Sequence, residues 1–337
     1  MSTKTETAWL AVESDPTFTN GIQYRRCDPV IPADVFAGVR KSTEATERFL
    51  AFGLAAPFQL RPEHSLGLND LRLDLRPDPL NSGQQLLLLV LLDPALSDPF
   101  GLVCEDLLEQ VAGITGQEPL LLAVFQRLET WKALFVGRSS EGLSRESRQG
   151  LFGELTFLQN LLEHGLSAAN CVRCWSGPSG AVHDFQLQDQ AVEIKTSAAA
   201  NPQHFHISNE RQLDEGTLAN LYIGFFSLSV TPDHGQTLNQ LIDGVTGLLS
   251  SSPAAQRQFR LRLYEVGYFP HQRQLYDQPG YQVQREEYFR VASGFPRLRE
   301  ADIPPGVGEV RYTVALAACR PFGVAAATVF DTLKATE

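Results

Sequence analysis

One short segment constrains this chain more than any other. Val192-Glu193-Ile194-Lys195 sets an acid and a base two residues apart among branched apolar residues. On an extended strand such residues share a face, so Glu193 and Lys195 project together while Val192 and Ile194 line the other side. Just upstream stands His183-Asp184-Phe185. A two-residue turn at Gln188-Asp189 sets Asp184 opposite Glu193, and a turn at Asp189-Gln190 sets it opposite Lys195. Either register gathers Asp184, Glu193 and Lys195 on one face; a three-residue loop would separate them, because one residue of slip exchanges the faces. Phe185, Val192 and Ile194 imply that this sheet is substantially buried.

Two carboxylates side by side in a partly buried site repel one another and raise each other's pKa. A divalent cation with oxygen ligands removes that penalty, and Mg²⁺ commonly binds through one or two carboxylates plus a substrate phosphate. A cation so placed can polarise a phosphate and acidify an attacking water, with Lys195 orienting that water or stabilising developing negative charge. The expected ligands are Asp184 and Glu193, with the Ile194 main-chain carbonyl as a further one, and Mg²⁺ or Mn²⁺ as the metal.

The surroundings read as mixed α and β. Ser144 is a good N-cap for a helix whose stripe is Leu151, Leu155, Leu158, Leu161 and Leu162, with Gly165 at its C-terminal end. Glu154 lies along that stripe, and a carboxylate facing a core needs a partner. Three short strands are expected next, Cys171 to Trp175, Ala181 to Leu187 and Ala191 to Thr196, with Ser176-Gly177-Pro178-Ser179-Gly180 as a turn. A central strand over Leu218 to Val230, a helix over Leu238 to Leu249, and strands at Tyr288 to Val291 and Val310 to Ala317 follow. Before them, Gln84 to Leu92 reads as a strand, and Glu105 to Val111 and Leu120 to Phe135 as helices. The polar stretch Gly137 to Gly142 is the expected boundary. It divides an N-terminal α+β region, 1–137, from a second domain, 143–337.

Asp184, then Glu193-Ile194-Lys195, preceded by a helix carrying Glu154, resembles the PD-(D/E)XK nuclease superfamily. Gly150-Leu151-Phe152-Gly153-Glu154-Leu155 with Val192-Glu193-Ile194-Lys195-Thr196 is similar, more narrowly, to a bacterial PD-(D/E)XK family encoded in phage-defence gene clusters. The similarity covers about 144–230 and is weaker through the tail; His183 replaces the motif's proline. The resemblance implies an α/β (α+β) class with a restriction-endonuclease-like αβββαβ core on a mixed sheet, extended by strands and helices at the C-terminus. It implies that Asp184 and Glu193 bind metal, that Lys195 is catalytic and that Glu154 assists. The implied activity is that of a Mg²⁺-dependent endonuclease hydrolysing phosphodiester bonds, in DNA first and with RNA as the other option, beside ATPase or helicase-like partner proteins. The alternative is a nuclease-like subunit that binds DNA or a partner and cuts poorly or not at all.

Bulk properties narrow the setting. The 337 residues carry 39 acids against 28 Lys and Arg, a net charge of −11. That excess argues against a nonspecific nucleic-acid coat, which needs clustered positive charge. Between Ala255 and Glu300, however, Arg257, Arg260, Arg262, Arg273, Arg285, Arg290, Arg297 and Arg299 outnumber the acids, as a ligand-facing patch or a solvated surface. Aromatics among them, Phe259, Tyr264, Tyr268, Phe269, Tyr276, Tyr281, Tyr288 and Phe289, either stack on bases or fill a core. Five scattered cysteines give no disulfide framework, the apolar run at Leu86 to Leu92 is too short to cross a membrane, and the first residues show no secretory signal. A reducing cytoplasm is expected. Cys171-Val172-Arg173-Cys174 lacks a second ligand pair and reads as two small hydrophobes on opposite strand faces. His204 and His206 share a strand face and read as partly exposed residues, and Gln212 is a weaker polar candidate. No phosphate-cradling loop and no GxSxG elbow occurs, so neither ATP hydrolysis nor acyl hydrolysis is expected.

Overall fold

The computed structural model describes residues 3–43, 45–61, 70–136, 142–198, 203–232 and 234–336. The chain forms two compact units, 1–138 and 139–337. Most of the stretch expected as a boundary, 137–141, lies outside the described residues.

The first unit holds α1 (Lys4–Glu13), β1 (Gly21–Arg26), β2 (Val35–Lys41), β3 (Thr46–Ala55), β4 (Leu71–Pro77), β5 (Gln84–Leu91), α2 (Ser97–Val111) and α3 (Gln117–Val136). Its strands pair antiparallel in the order β1-β2-β3-β5-β4. The apolar run from Leu86 is β5, flanked on both edges and buried along its length. Burial on both faces explains why that strand reads as continuous leucine rather than as alternation. Trp9 of α1 is fully buried, donates its indole N–H to the Phe49 carbonyl at 3.0 Å and stacks on Phe100 of α2. The expected helical segments fall inside α2 and α3.

The second unit opens with α4 (Arg145–Glu163), α5 (Ala168–Cys174), β6 (Phe185–Leu187), β7 (Gln190–Ser197), β8 (His204–Ile207) and β9 (Asn220–Thr231). It continues through α6 (Leu238–Leu248), α7 (Pro253–Glu265), β10 (Gly280–Arg290), β11 (Tyr312–Ala315), α8 (Leu316–Cys319), β12 (Gly323–Val324) and α9 (Ala326–Lys334). Its main sheet runs β12-β10-β9-β7-β6, with β8 and β11 forming a separate pair. The β7–β9 pair is parallel and the rest antiparallel, so the sheet is mixed. Along the chain α4, β6, β7, β9, α6 and β10 give the order αβββαβ, with the other elements as insertions.

Caps behave as the sequence implies. The Ser144 hydroxyl accepts from the Ser147 N–H at 3.1 Å, and Gly165 follows α4 with φ +82°. One sheet face carries Val192 and Ile194 and packs beneath α4, α5, α6 and α7. The other carries Ala191, Ile223 and Phe225 and packs under β8 and β11.

Three expectations are corrected. Cys171 to Trp175 is not a strand: Ser167 caps α5 by accepting from the Asn170 N–H, and Ala168-Ala169 favours helix. Ala181 to Leu187 yields only β6, because Asp184 and the residues before it are bent. Val310 to Ala317 splits into β11 and the start of α8.

Candidate functional site

The turn is Gln188-Asp189, with Gln188 at φ +53°, and the pairs Phe185–Val192, Gln186–Ala191 and Leu187–Gln190 set the register. Continued by one step, that register brings Asp184 opposite Glu193, one of the two arrangements the sequence allows. β6 begins only at Phe185, so among the described residues the β7 edge has no strand partner on this side beyond Val192. Asp184 fills that place: the Ile194 N–H donates to its Oδ2 at 2.7 Å. N–H and C=O of one strand residue point to the same edge, so the Ile194 carbonyl opens beside Asp184. The Asp184 main chain is itself pinned, its carbonyl accepting from the Ser176 and Gly177 N–H groups at 2.8 and 2.9 Å.

Glu193 and Lys195 share a face as expected. Lys195 Nζ donates to Glu193 Oε1 at 2.7 Å and to Gln212 Oε1 at 3.3 Å. Gln212 Oε1 also accepts from the Ser208 N–H at 2.9 Å, which holds it in place. Glu193 is 1% exposed, and its Oε2 is buried without a hydrogen-bond partner among the described residues. Burial, and then the Asp184 charge, pushes the Glu193 carboxyl up to about 8. Burial likewise raises Asp184. Burial alone would lower Lys195, but the Glu193 and Asp184 charges outweigh it and hold the ammonium above its ordinary value.

Glu154 arrives from α4 by a close helix approach. A Cβ on Gly153 would fall 2.3 Å from Thr196 Cγ2 and 3.3 Å from Ile194 Cγ2, so only glycine lets the helix settle this near β7. A mid-helix glycine costs about 1 kcal/mol against alanine, which this contact accounts for. Glu154 Oε2 accepts from the Trp175 indole N–H at 2.7 Å. Burial, then the Asp184 charge, raises its pKa well above the ordinary carboxylate range. Gly177 packs against both acids: a Cβ there would meet Asp184 Oδ1 at 3.0 Å and Glu154 Oε2 at 3.4 Å.

All four side chains singled out in the sequence therefore meet at one sheet edge. Ser176-Gly177, expected only as part of a turn, clamps the Asp184 carbonyl, while Trp175 and Gly153 position Glu154, roles that no motif assigns them. A signal for two of them existed, since a buried tryptophan needs a partner for its N–H and a helical glycine needs a packing reason. His183 is buried, its Nε2 has no hydrogen-bond partner among the described residues, and burial lowers its pKa.

Among the described residues no three His, Cys, Asp or Glu side chains form a metal-holding group. What the site offers is a pair of carboxylates, one oxygen of which lacks a partner, beside an open main-chain edge. That donor set suits a hard cation that keeps several waters and uses few protein ligands. It suits zinc less well, whose sites draw chiefly on histidine nitrogen and cysteine sulfur.

The other sequence signals resolve differently. Cys171 and Cys174 lie one helical turn apart, so they share a face; both are buried in the core. Burial pushes the Cys174 thiol up to about 12. His204 and His206 are exposed on β8. The eight late aromatics are all buried, which settles them as core. Several late arginines are paired: Arg262 with Glu265, Arg273 with Asp243, Arg297 with Glu215 and Arg299 with Asp302. No helix among the described residues is long and apolar enough to cross a membrane.

The family described as "Putative PD-(D/E)XK family member, (DUF4420)" matches residues 5–317. The match reaches through the first unit as well, beyond the stretch in which the sequence alone shows the motif. No curated protein and no solved structure matches the chain.

Proposed function

The chain belongs to the DUF4420 family of PD-(D/E)XK proteins, and from that premise we propose that it is a metal-dependent endonuclease hydrolysing phosphodiester bonds, in DNA first of all. The observation that carries this reading is the unpartnered Glu193 Oε2, buried beside Asp184 at an open strand edge. A buried carboxylate oxygen without a partner is costly even though Lys195 holds the other oxygen, and a cation relieves it.

Asp184, Glu193 and the Ile194 carbonyl would hold Mg²⁺ or Mn²⁺, which supplies Lewis-acid stabilisation of the phosphate and a more acidic water. The chain's own residues do the rest. Asp184 is oriented by the Ile194 N–H and by the Ser176-Gly177 turn. Lys195, kept charged by its acidic neighbours and steadied by Gln212, places an ammonium where negative charge develops on phosphate. Glu154, tied to Trp175, adds a raised carboxyl able to hold a proton near the attacking water.

The five cysteines are free thiols, which supports a reducing, cytoplasmic setting. A multi-gene anti-phage system with ATPase or helicase-like partners belongs to the same proposal and rests on the family resemblance. One observation favours a second reading, a nuclease-like subunit that binds without cutting: Lys195 already neutralises Glu193 at 2.7 Å.

Cleavage of plasmid and single-stranded DNA by wild type and Lys195→Ala, in Mg²⁺, Mn²⁺ and EDTA, decides between them. Metal-dependent cutting that disappears in the variant is the expected result. Absence of cutting, with and without the partner proteins, leaves the binding subunit.

A further inference from the structure

Resting on the nuclease reading above, we propose that a groove at the C-terminal end of β7 and β9 binds the phosphodiester backbone of the strand being cut. The groove encloses about 650 Å³ and is lined by Arg145, Gln203, Ser227, Ser229, Gln284 and Arg285, among others. None of the described lining residues is acidic, although acids outnumber Lys and Arg by 39 to 28 over the chain. A lining of guanidinium, hydroxyl and amide groups is the donor set that phosphate oxygens accept from.

Its position ties it to the reacting centre. In the parallel β7–β9 register Lys195 stands beside Phe225 and Ser197 beside Ser227. Ser227 thus lies on the Glu193 and Lys195 face, and Gln203 donates to its hydroxyl at 2.6 Å. Two residues along and one strand across is about 8 Å, from ~3.3 Å per residue and ~4.8 Å between strands. At ~3.4 Å of axis per phosphate on one strand, that is about two phosphates from the centre. Arg145 stands in the first turn of α4, where exposed N–H groups add positive potential. Gln284 occupies the register break between Val283 and Arg285 of β10, a bulge that turns an extra side chain into the groove. Among the described residues Arg285 makes one loose pair, with Glu287 at 3.8 Å, and its side chain is 54% exposed, which leaves it open to a ligand.

The test is binding rather than cleavage. A fluorescein-labelled single strand and its duplex are titrated in EDTA, by anisotropy over a range of salt. The proteins are wild type, Arg145→Gln/Arg285→Gln, and Arg260→Gln, an exposed arginine of α7 outside the groove. With both contacts made, the double variant binds more weakly. Its salt slope flattens by about 1.4 for the single strand or about 1.8 for the duplex, while Arg260→Gln matches wild type. A double variant with wild-type affinity and slope overturns the groove, as does an Arg260→Gln variant that loses as much. A wild type that cuts DNA while the double variant binds unchanged refutes the groove alone. A wild type that neither binds nor cuts refutes the reading of the site with it.

Discussion

Glu193→Gln in metal-free protein isolates the cost of the buried carboxylate. In the folded chain the Glu193 carboxyl titrates at about 8, against an ordinary 4.5. Between those two values the folded state keeps a proton that the unfolded state has released. Stability therefore falls as pH rises through this window and levels above it. At ~1.36 kcal/mol per pH unit the difference of about 3.5 units amounts to about 5 kcal/mol, a ceiling that water entry and local relaxation reduce. Burial also raises Asp184 and Glu154, which act in the same direction. The raised Lys195 adds a stabilisation that is constant across this window and is lost only at alkaline pH, as its ammonium gives up its proton.

The assay is urea unfolding at pH 5 and pH 8 in EDTA, followed by hydrogen exchange in peptides of β7, so that the second unit is read by itself. At pH 5 wild type and Glu193→Gln should be nearly equal, since both carry a neutral side chain there. At pH 8 the glutamine variant should be the more stable by several kcal/mol. Mg²⁺ should narrow that gap by stabilising wild type at pH 8 far more than the variant, because only the ionised carboxylate is a ligand. A wild type no less stable at pH 8 than at pH 5, or a variant with the same pH slope, would show that Glu193 is not held neutral by burial. The case for a cation would then lose its physical basis.

Two further substitutions probe how the acids are held. Trp175→Phe removes the indole donor 2.7 Å from Glu154 Oε2; a loss of ~1–3 kcal/mol is expected, larger at pH 8 than at pH 5 in urea melts, and a pH-independent loss would mean packing alone is affected. Gly153→Ala drives a methyl into Thr196 Cγ2 and should cost ~1–3 kcal/mol despite the gain in helix propensity, with thermal unfolding as readout. Adding Thr196→Ser removes the clashing methyl and should restore most of the loss; if it does not, the helix is not seated on β7 by that glycine.

The parts of this site that rest on period two were legible in the sequence, and those that rest on the path of the chain between elements were not. Glu193 and Lys195 had to share a face once Val192 to Thr196 was a strand, and the two possible turns left only two places for Asp184. No periodicity revealed that Asp184 would stand before its strand and complete the open edge of β7. That depends on Ser176 and Gly177 holding its carbonyl, a contact made by a loop rather than by a pattern. The misreading at Cys171 to Trp175 has the same origin. Five residues with two cysteines, one valine, an arginine and a tryptophan carry no decisive period, and the signal that settles them is the Ser167 cap followed by two alanines. Placing them in a helix also has a consequence for the site. A short helix ending at Cys174 delivers Trp175 to Glu154 and leaves the next residues free to turn beneath Asp184. The acid from α4 and the acid before β6 are thus positioned by one connection, so a disturbance at Trp175 or Gly177 should move both carboxylates together.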